Sequence, residues 1–265
     1  MRQQKGFSLL ELAIGLVIVA TLLSALLVPL ATQMDQRRVS DTQELLEQAR
    51  DALIGFAIAQ GRLPCPAAAP SSVAATEKGR EVFKDQNLGE CRVFNGWLPA
   101  VTLGLVPIDS DGYQPDAFGG AQNRIRYAVA RAVATSDPTS TLKNHFLLTS
   151  VLGMNKALSD LKTASTPNAV LGGTNFLSIC STNSPSCTDE TKLANGSAVA
   201  VIYSVGRNGA GILRPQSADE NANLDDDSLF VSRVQSEQSG NPFDDLVLWV
   251  SVNSLINRLA MAGKL

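Results

Sequence analysis

MRQQKGFSLLELAIGLVIVATLLSALLVPLA, residues 1–31, decides how this chain is read. Arg2 and Lys5 lie in a six-residue leader ending in Gly6, and Phe7 opens a run of 25 residues that carries one charge, Glu11. At about 1.5 Å per helical residue the run reaches roughly 37 Å, against a hydrocarbon core of about 30 Å. It is long enough to span a bilayer. A secretory signal has an apolar core of only about 7–15 residues, with its cleavage site behind it. Here the processing point, Lys5-Gly6-Phe7, precedes the run, so a cut there leaves the apolar helix on the mature chain. A lone carboxylate at a bilayer centre costs about 2.5–3.5 kcal/mol and less near a helix end, so Glu11 asks for a cationic partner.

Lys5-Gly6-Phe7, with Glu11 as the fifth residue after the cut, resembles the prepilin signal shared by type IV pilins and type II secretion pseudopilins. The resemblance implies cleavage at Gly6–Phe7 by a membrane prepilin peptidase and N-methylation of Phe7. It also implies that Glu11 pairs with the Phe7 amino group of a neighbouring subunit, on an inner-membrane assembly platform. Physics supports the pairing separately: a buried carboxylate and a buried ammonium each cost several kcal/mol alone, and pairing offsets much of that. Such a pair forms in one axial register only. A plain signal anchor with an incidental Glu leaves both the Gly-Phe junction and the Glu spacing unexplained. Arg2 and Lys5 keep the leader cytoplasmic by the positive-inside rule, which puts the head in the periplasm. Arg37 and Arg38, beyond the run, oppose this orientation weakly.

The helix is expected to continue past the span. Val39, Thr42, Leu46, Ala49, Leu53 and Phe56 recur at steps of three and four, with polar residues between them. Gly61 and the Leu63-Pro64-Cys65-Pro66 segment end the pattern. One helix from about residue 7 to about residue 60 follows, with Gly15 and Pro29 as places for a bend. The domain reading is a removed leader at 1–6, a membrane or filament-core helix at 7–31, an amphipathic extension at 32–61 and a globular head at 62–265.

Net charge is −3 at a pI near 5.3, and loss of Arg2 and Lys5 with the leader makes it −5. That balance argues against nucleic acid as a primary ligand. Aromatics make up 5% of the chain, so Leu, Val, Ile and Ala are expected to supply most of the core. The four cysteines, Cys65, Cys91, Cys180 and Cys187, lie in what topology makes an oxidising compartment. Three pairings are open, and the sequence-local one, Cys65–Cys91 with Cys180–Cys187, is preferred. A zinc site is disfavoured, because no Cys-x-x-Cys exists and His145 is the one histidine.

In the head, strands are expected at 125–130, 146–151, 176–179, 198–205 and 246–251, with helices at 151–163 and 252–261. A short strand or turn packing is expected within 94–106. The sum is an α+β fold: a long N-terminal helix on a mainly antiparallel sheet. The turn Tyr203-Ser204-Val205-Gly206-Arg207-Asn208-Gly209 and the segment Asp244-Asp245-Leu246-Val247-Leu248-Trp249 resemble, more weakly, the turn and Trp-bearing strand that flank the C-terminal loop of pseudopilins.

Two acidic loops raise the question of calcium, which takes six to eight oxygen ligands. One holds Asp109, Asp111, Gly112 and Asp116; the other holds Glu220, Asn221, Asn223, Asp225, Asp226 and Asp227. The first lacks the spacing and terminal Glu of an EF-hand. Asp225, Asp226 and Asp227 are the candidate calcium ligands. Solvated Asp- and Asn-rich loops are common without any ion.

No enzyme motif competes. There is no GxSxG, no Gly-rich phosphate loop and no HExxH, and His145 reads as a strand-edge residue. The expected function is structural: a minor pilin or pseudopilin that polymerises through its N-terminal helix. The alternative is a membrane-anchored periplasmic or surface binding module that never polymerises.

Overall fold

The computed structural model describes residues 9–130, 148–151, 153–155, 176–183, 187, 190–209, 217–238 and 240–264; the side chains of 22–31, 195 and 196 stand outside that description. Gly6, Phe7, His145 and most of the expected elements at 146–151 and 151–163 lie outside the described residues. The chain divides into two compact units, Met1–Asp41 and Thr42–Leu265.

The first unit is the opening part of α1, Leu9–Gln60. Leu9, Leu10, Leu12, Ile14, Leu16, Val17, Ile18 and Val19 are all exposed there, at 52–88%. Among the described residues, no helix is long and apolar enough to cross a membrane.

The second unit begins with the later turns of α1. Thr42, Leu46, Ala49, Leu53, Ile54 and Ala57 are buried, one stripe of the helix facing the head. Val39 and Phe56, at the ends of the expected stripe, are half-buried. Gly61 takes φ +68° after the last turn, where its N–H still bonds the Ala57 carbonyl at 2.9 Å. Pro64 and Pro66 then prevent resumption.

The head is built on β3 (Asn95–Trp97), β4 (Arg126–Val129), β5 (Leu177–Cys180), β6 (Lys192–Ser204), β7 (Leu229–Val231) and β8 (Leu246–Ser251). Their order is β3-β4-β6-β5-β7, with β8 pairing β6. β6 is the spine. Ala198 pairs with Leu177 of β5 and with Ser251 of β8, and the later half of β6 pairs antiparallel with both β4 and β8. Among the described residues, β5 and β7 are the one parallel pair. A separate hairpin, β1 (Phe83–Asp85) and β2 (Glu90–Cys91), sits outside this sheet. Short α2 (Ala100–Leu103) and α3 (Ala218–Leu224) lie in the connections, and α4 (Val252–Met261) follows β8 directly.

Three expectations change. The expected strand at 146–151 is not one in its described part, since 148–150 form a turn and Val151 is helical. Its apolar run instead buries Leu148, whose carbonyl accepts from Leu63 N at 2.8 Å. The strand expected at 198–205 is longer, with 13 residues from Lys192 to Ser204, because its opening part pairs with β5, Lys192 with Cys180 and Ala194 with Ile179. The core also leans on the few aromatics more than composition suggests. Tyr113, Tyr127, Tyr203, Phe176, Phe230 and Phe243 are its largest fully buried side chains. Each Tyr hydroxyl is anchored, Tyr113 to Ala68 O at 2.7 Å, Tyr127 to Pro64 O at 3.1 Å and Tyr203 to Asn95 Oδ1 at 2.8 Å.

Both sequence-local bridges are present: Cys65–Cys91 with Cα atoms 5.3 Å apart and Cys180–Cys187 with Cα atoms 5.9 Å apart.

Candidate functional site

Two regions carry chemistry: the start of α1 and the end of the sheet where β6 meets β8. At the first, Glu11 stands in the opening turn of α1, exposed. An acid there suits the positive end of the helix dipole.

At the second region the register does the positioning. Ser204 of β6 pairs with Leu246 of β8, so the residues just past Ser204 lie beside those just before Leu246. The chain turns at Gly206, with φ +61°. A Cβ there would lie 2.3 Å from the Asp244 carbonyl oxygen and 2.6 Å from Asp244 Oδ1, so only glycine fits. The turn then presents two donors: Asn208 N to Asp244 Oδ2 at 3.0 Å, and Asn208 Nδ2 to Glu220 Oε1 at 2.9 Å. Glu220 reaches this place through a capping box on α3, where Ser217 N donates to its Oε2 at 2.8 Å and Ser217 Oγ accepts from its N–H at 3.2 Å.

Three carboxylates converge as a result. Glu220, Asp244 and Asp245 each offer an oxygen, and these oxygens lie within 4.8 Å of one another. Glu220 is fully buried and Asp245 is 3% exposed. Asn223 donates from Nδ2 to Asp245 Oδ2 at 2.7 Å and ties α3 to β7 through Val231. Asp245 Oδ1 is buried and has no hydrogen-bond partner among the described residues. Burial holds the Asp245 carboxyl well above the usual carboxylate range, and the charges of Glu220 and Asp244 push the same way.

The two acidic loops of the sequence come apart in space. Asp109 and Asp111 are neutralised: Arg124 reaches Asp109 Oδ2 at 2.6 Å and Asp111 Oδ2 at 2.8 Å, and Lys78 reaches Asp111 Oδ1 at 2.7 Å. Asp116 is not with them. Its Oδ2 accepts from Ser204 Oγ at 2.5 Å, and its Oδ1 accepts from the N–H groups of Phe118 and Gly119. Asp225, Asp226 and Asp227 form an exposed bend after α3. Asp225 Oδ1 accepts from Asp227 N at 3.2 Å, and Asp227 Oδ1 accepts from Leu229 N at 2.6 Å. Those contacts are the local side-chain turns that Asp favours. Of the second acidic loop, only Glu220 joins the convergent triad. In the sequence Asp244 and Asp245 read as part of a strand signature, and no local pattern brings them to Glu220. The Ser-x-x-Glu capping signal at Ser217 was the available clue.

Comparison with known proteins adds one match. Residues 1–27 match the family model described as the prokaryotic N-terminal methylation motif. No curated protein and no solved structure matches the chain. The chain thus carries, at residues 1–27, the N-terminal methylation motif that is the signature of type IV pilins and pseudopilins.

Proposed function

We propose that this chain is a minor pilin or pseudopilin, cut between Gly6 and Phe7, N-methylated at Phe7 and held in the inner membrane by residues 7–31 before assembly through α1. The observation that carries this reading is the N-terminal motif with Glu11 five residues into the mature chain. The exposed apolar residues of Leu9 to Val19 support it, since so much uncovered apolar surface needs lipid or another helix. A non-polymerising anchored module would share the span but has no use for a carboxylate inside it. The test is the intact mass of the membrane-extracted protein. It is expected to begin at Phe7 with one added methyl group. A chain that keeps Met1, or one cut after Ala31, refutes the processing.

A divalent cation, calcium by its preference for hard oxygens, suits the head. Glu220, Asp244 and Asp245 fit it better than Asp225, Asp226 and Asp227, since Asp225 and Asp227 already accept from N–H groups of their own turn. The partnerless Oδ1 of Asp245 favours this placement. Bound there, the ion would offset the repulsion of three carboxylates. Calcium at 100 times its Kd is expected to stabilise the full chain in detergent by about 2.7 kcal/mol over EDTA. Asp245→Asn should abolish that shift while Asp225→Ala with Asp227→Ala keeps it. Equal melting in calcium and EDTA removes the cation from the reading.

A further inference from the structure

The first unit holds a second charge pair with the same spacing as the first. Arg37 and Asp41 are both exposed and lie four residues apart on α1. At that spacing they are positioned to pair within the helix, yet neither makes an ion pair among the described residues. By contrast, Arg38 reaches Asp35 at 3.7 Å. Beyond Asp41 come Glu44, Glu47 and Asp51, all exposed. Their spacings of three and four residues set like charges beside one another, which weakens an isolated helix by about 0.2–0.5 kcal/mol per pair. Arg50, 3.5 Å from Asp51, is the one basic residue between 39 and 61. Arginines followed by acids make a pattern that another copy of the same helix can complement.

The displacement that complements it is limited. Copies inserted with the same orientation run parallel. In register, Arg37 would face Arg37 and Asp41 would face Asp41. A shift of four residues, about 6 Å along the axis, brings Arg37 of one copy level with Asp41 of the other. Phe7 and Glu11 are also four residues apart. The axial displacement is the same for both pairs; at about 100° per residue Asp41 stands about 120° around the helix from Glu11, so the two contacts occupy different sides of it.

We propose that Arg37 of one copy pairs with Asp41 of a second, parallel copy displaced by about one helical turn, as a second register contact beside that of the Phe7 amino group with Glu11. The inference rests on the assembling-subunit reading above. Arg37 and Asp41 bring specificity more than strength, since exposed pairs are individually weak and gain from repetition along an assembly.

The experiment uses full-length tagged chains in cells that carry the processing and assembly machinery, and reads the amount of chain in the assembled fraction. Arg37→Glu alone and Asp41→Arg alone are each expected to lower incorporation roughly three- to fivefold, the scale of one exposed pair. Arg37→Lys keeps the charge and should assemble as the unaltered chain does. Co-expression of the two defective variants should restore incorporation, because Glu at 37 on one chain then meets Arg at 41 on the other. A pair within one helix cannot be restored that way. Full incorporation of either single variant overturns the proposal, as does rescue seen only with both substitutions in one chain. If the unaltered chain is processed but enters no assembled fraction, the subunit reading itself falls.

Discussion

Replacing Cys65 and Cys91 together by Ala is expected to lower the stability of the head by about 3.5 kcal/mol, the loop-closure value for a separation of 26 residues. The bridge joins the segment that leaves α1 to β2, and both cysteines are nearly inaccessible, at 0% and 2%. Its surroundings reinforce it. Cys65 N donates to Glu81 Oε2 at 3.2 Å, and Glu81 is held by two hydrogen bonds from Arg62, at 2.7 and 2.8 Å. The Arg62 guanidinium in turn lies 5.1 Å from the ring centres of both Phe56 and Phe83. Cutting the bridge thus loosens the exit of α1 from the head. The second bridge, Cys180–Cys187, closes only 7 residues, so its loss should cost about 2.4 kcal/mol on the same model. Urea denaturation of the two double variants against the oxidised parent checks the order. A larger loss at Cys180–Cys187 would show that loop length does not govern here.

How far the sequence could be read depended on the range of each signal. α1 was legible because its pattern repeats over many turns and Gly61 with Pro64 punctuates its end. β8 and α4 matched their expected bounds, as an unbroken apolar run, Leu246 to Val250, gives way to helical spacing after Ser251. β7 was missed: Leu229–Val231 has three residues, too few to show a period, and it owes its place to parallel pairing with β5. β1 and β2 escaped for the same reason, being tied by the hairpin and by Cys91. The carboxylate triad was illegible because its members come from α3 and from the approach to β8, more than twenty residues apart. Nothing local distinguishes Asp245, which is buried, from Asp225, which is exposed. The Gly6-Phe7-Glu11 signal was legible for the opposite reason, since its recognition depends on adjacent residues and needs no fold.

Asp116 should make the head more stable as the pH falls from 7 to 4.5, against the usual trend for a carboxylate. It is 4% exposed, and burial pushes its carboxyl up to about 6 despite the hydrogen bonds from Ser204, Phe118 and Gly119. In the unfolded chain the same group has its ordinary value of 3.8. Between those two values the native state holds a proton that the unfolded state has lost, so stability declines as pH rises through this window and is level above it. The full difference is about 3 kcal/mol, and roughly 2 of it falls between pH 4.5 and pH 7. Asp116→Asn separates this contribution from those of other acids. The amide oxygen can accept from Phe118 and Gly119, and its N–H can donate to Ser204 Oγ, as a protonated carboxyl would. Ser204 Oγ keeps its second role, accepting from Gly206 N at 3.1 Å. The variant should therefore gain on the parent by about 2 kcal/mol as pH rises from 4.5 to 7, measured by urea denaturation in EDTA. A constant gap between the two proteins across that range would mean that Asp116 is ionised in the native head throughout, with its three donors outweighing its burial.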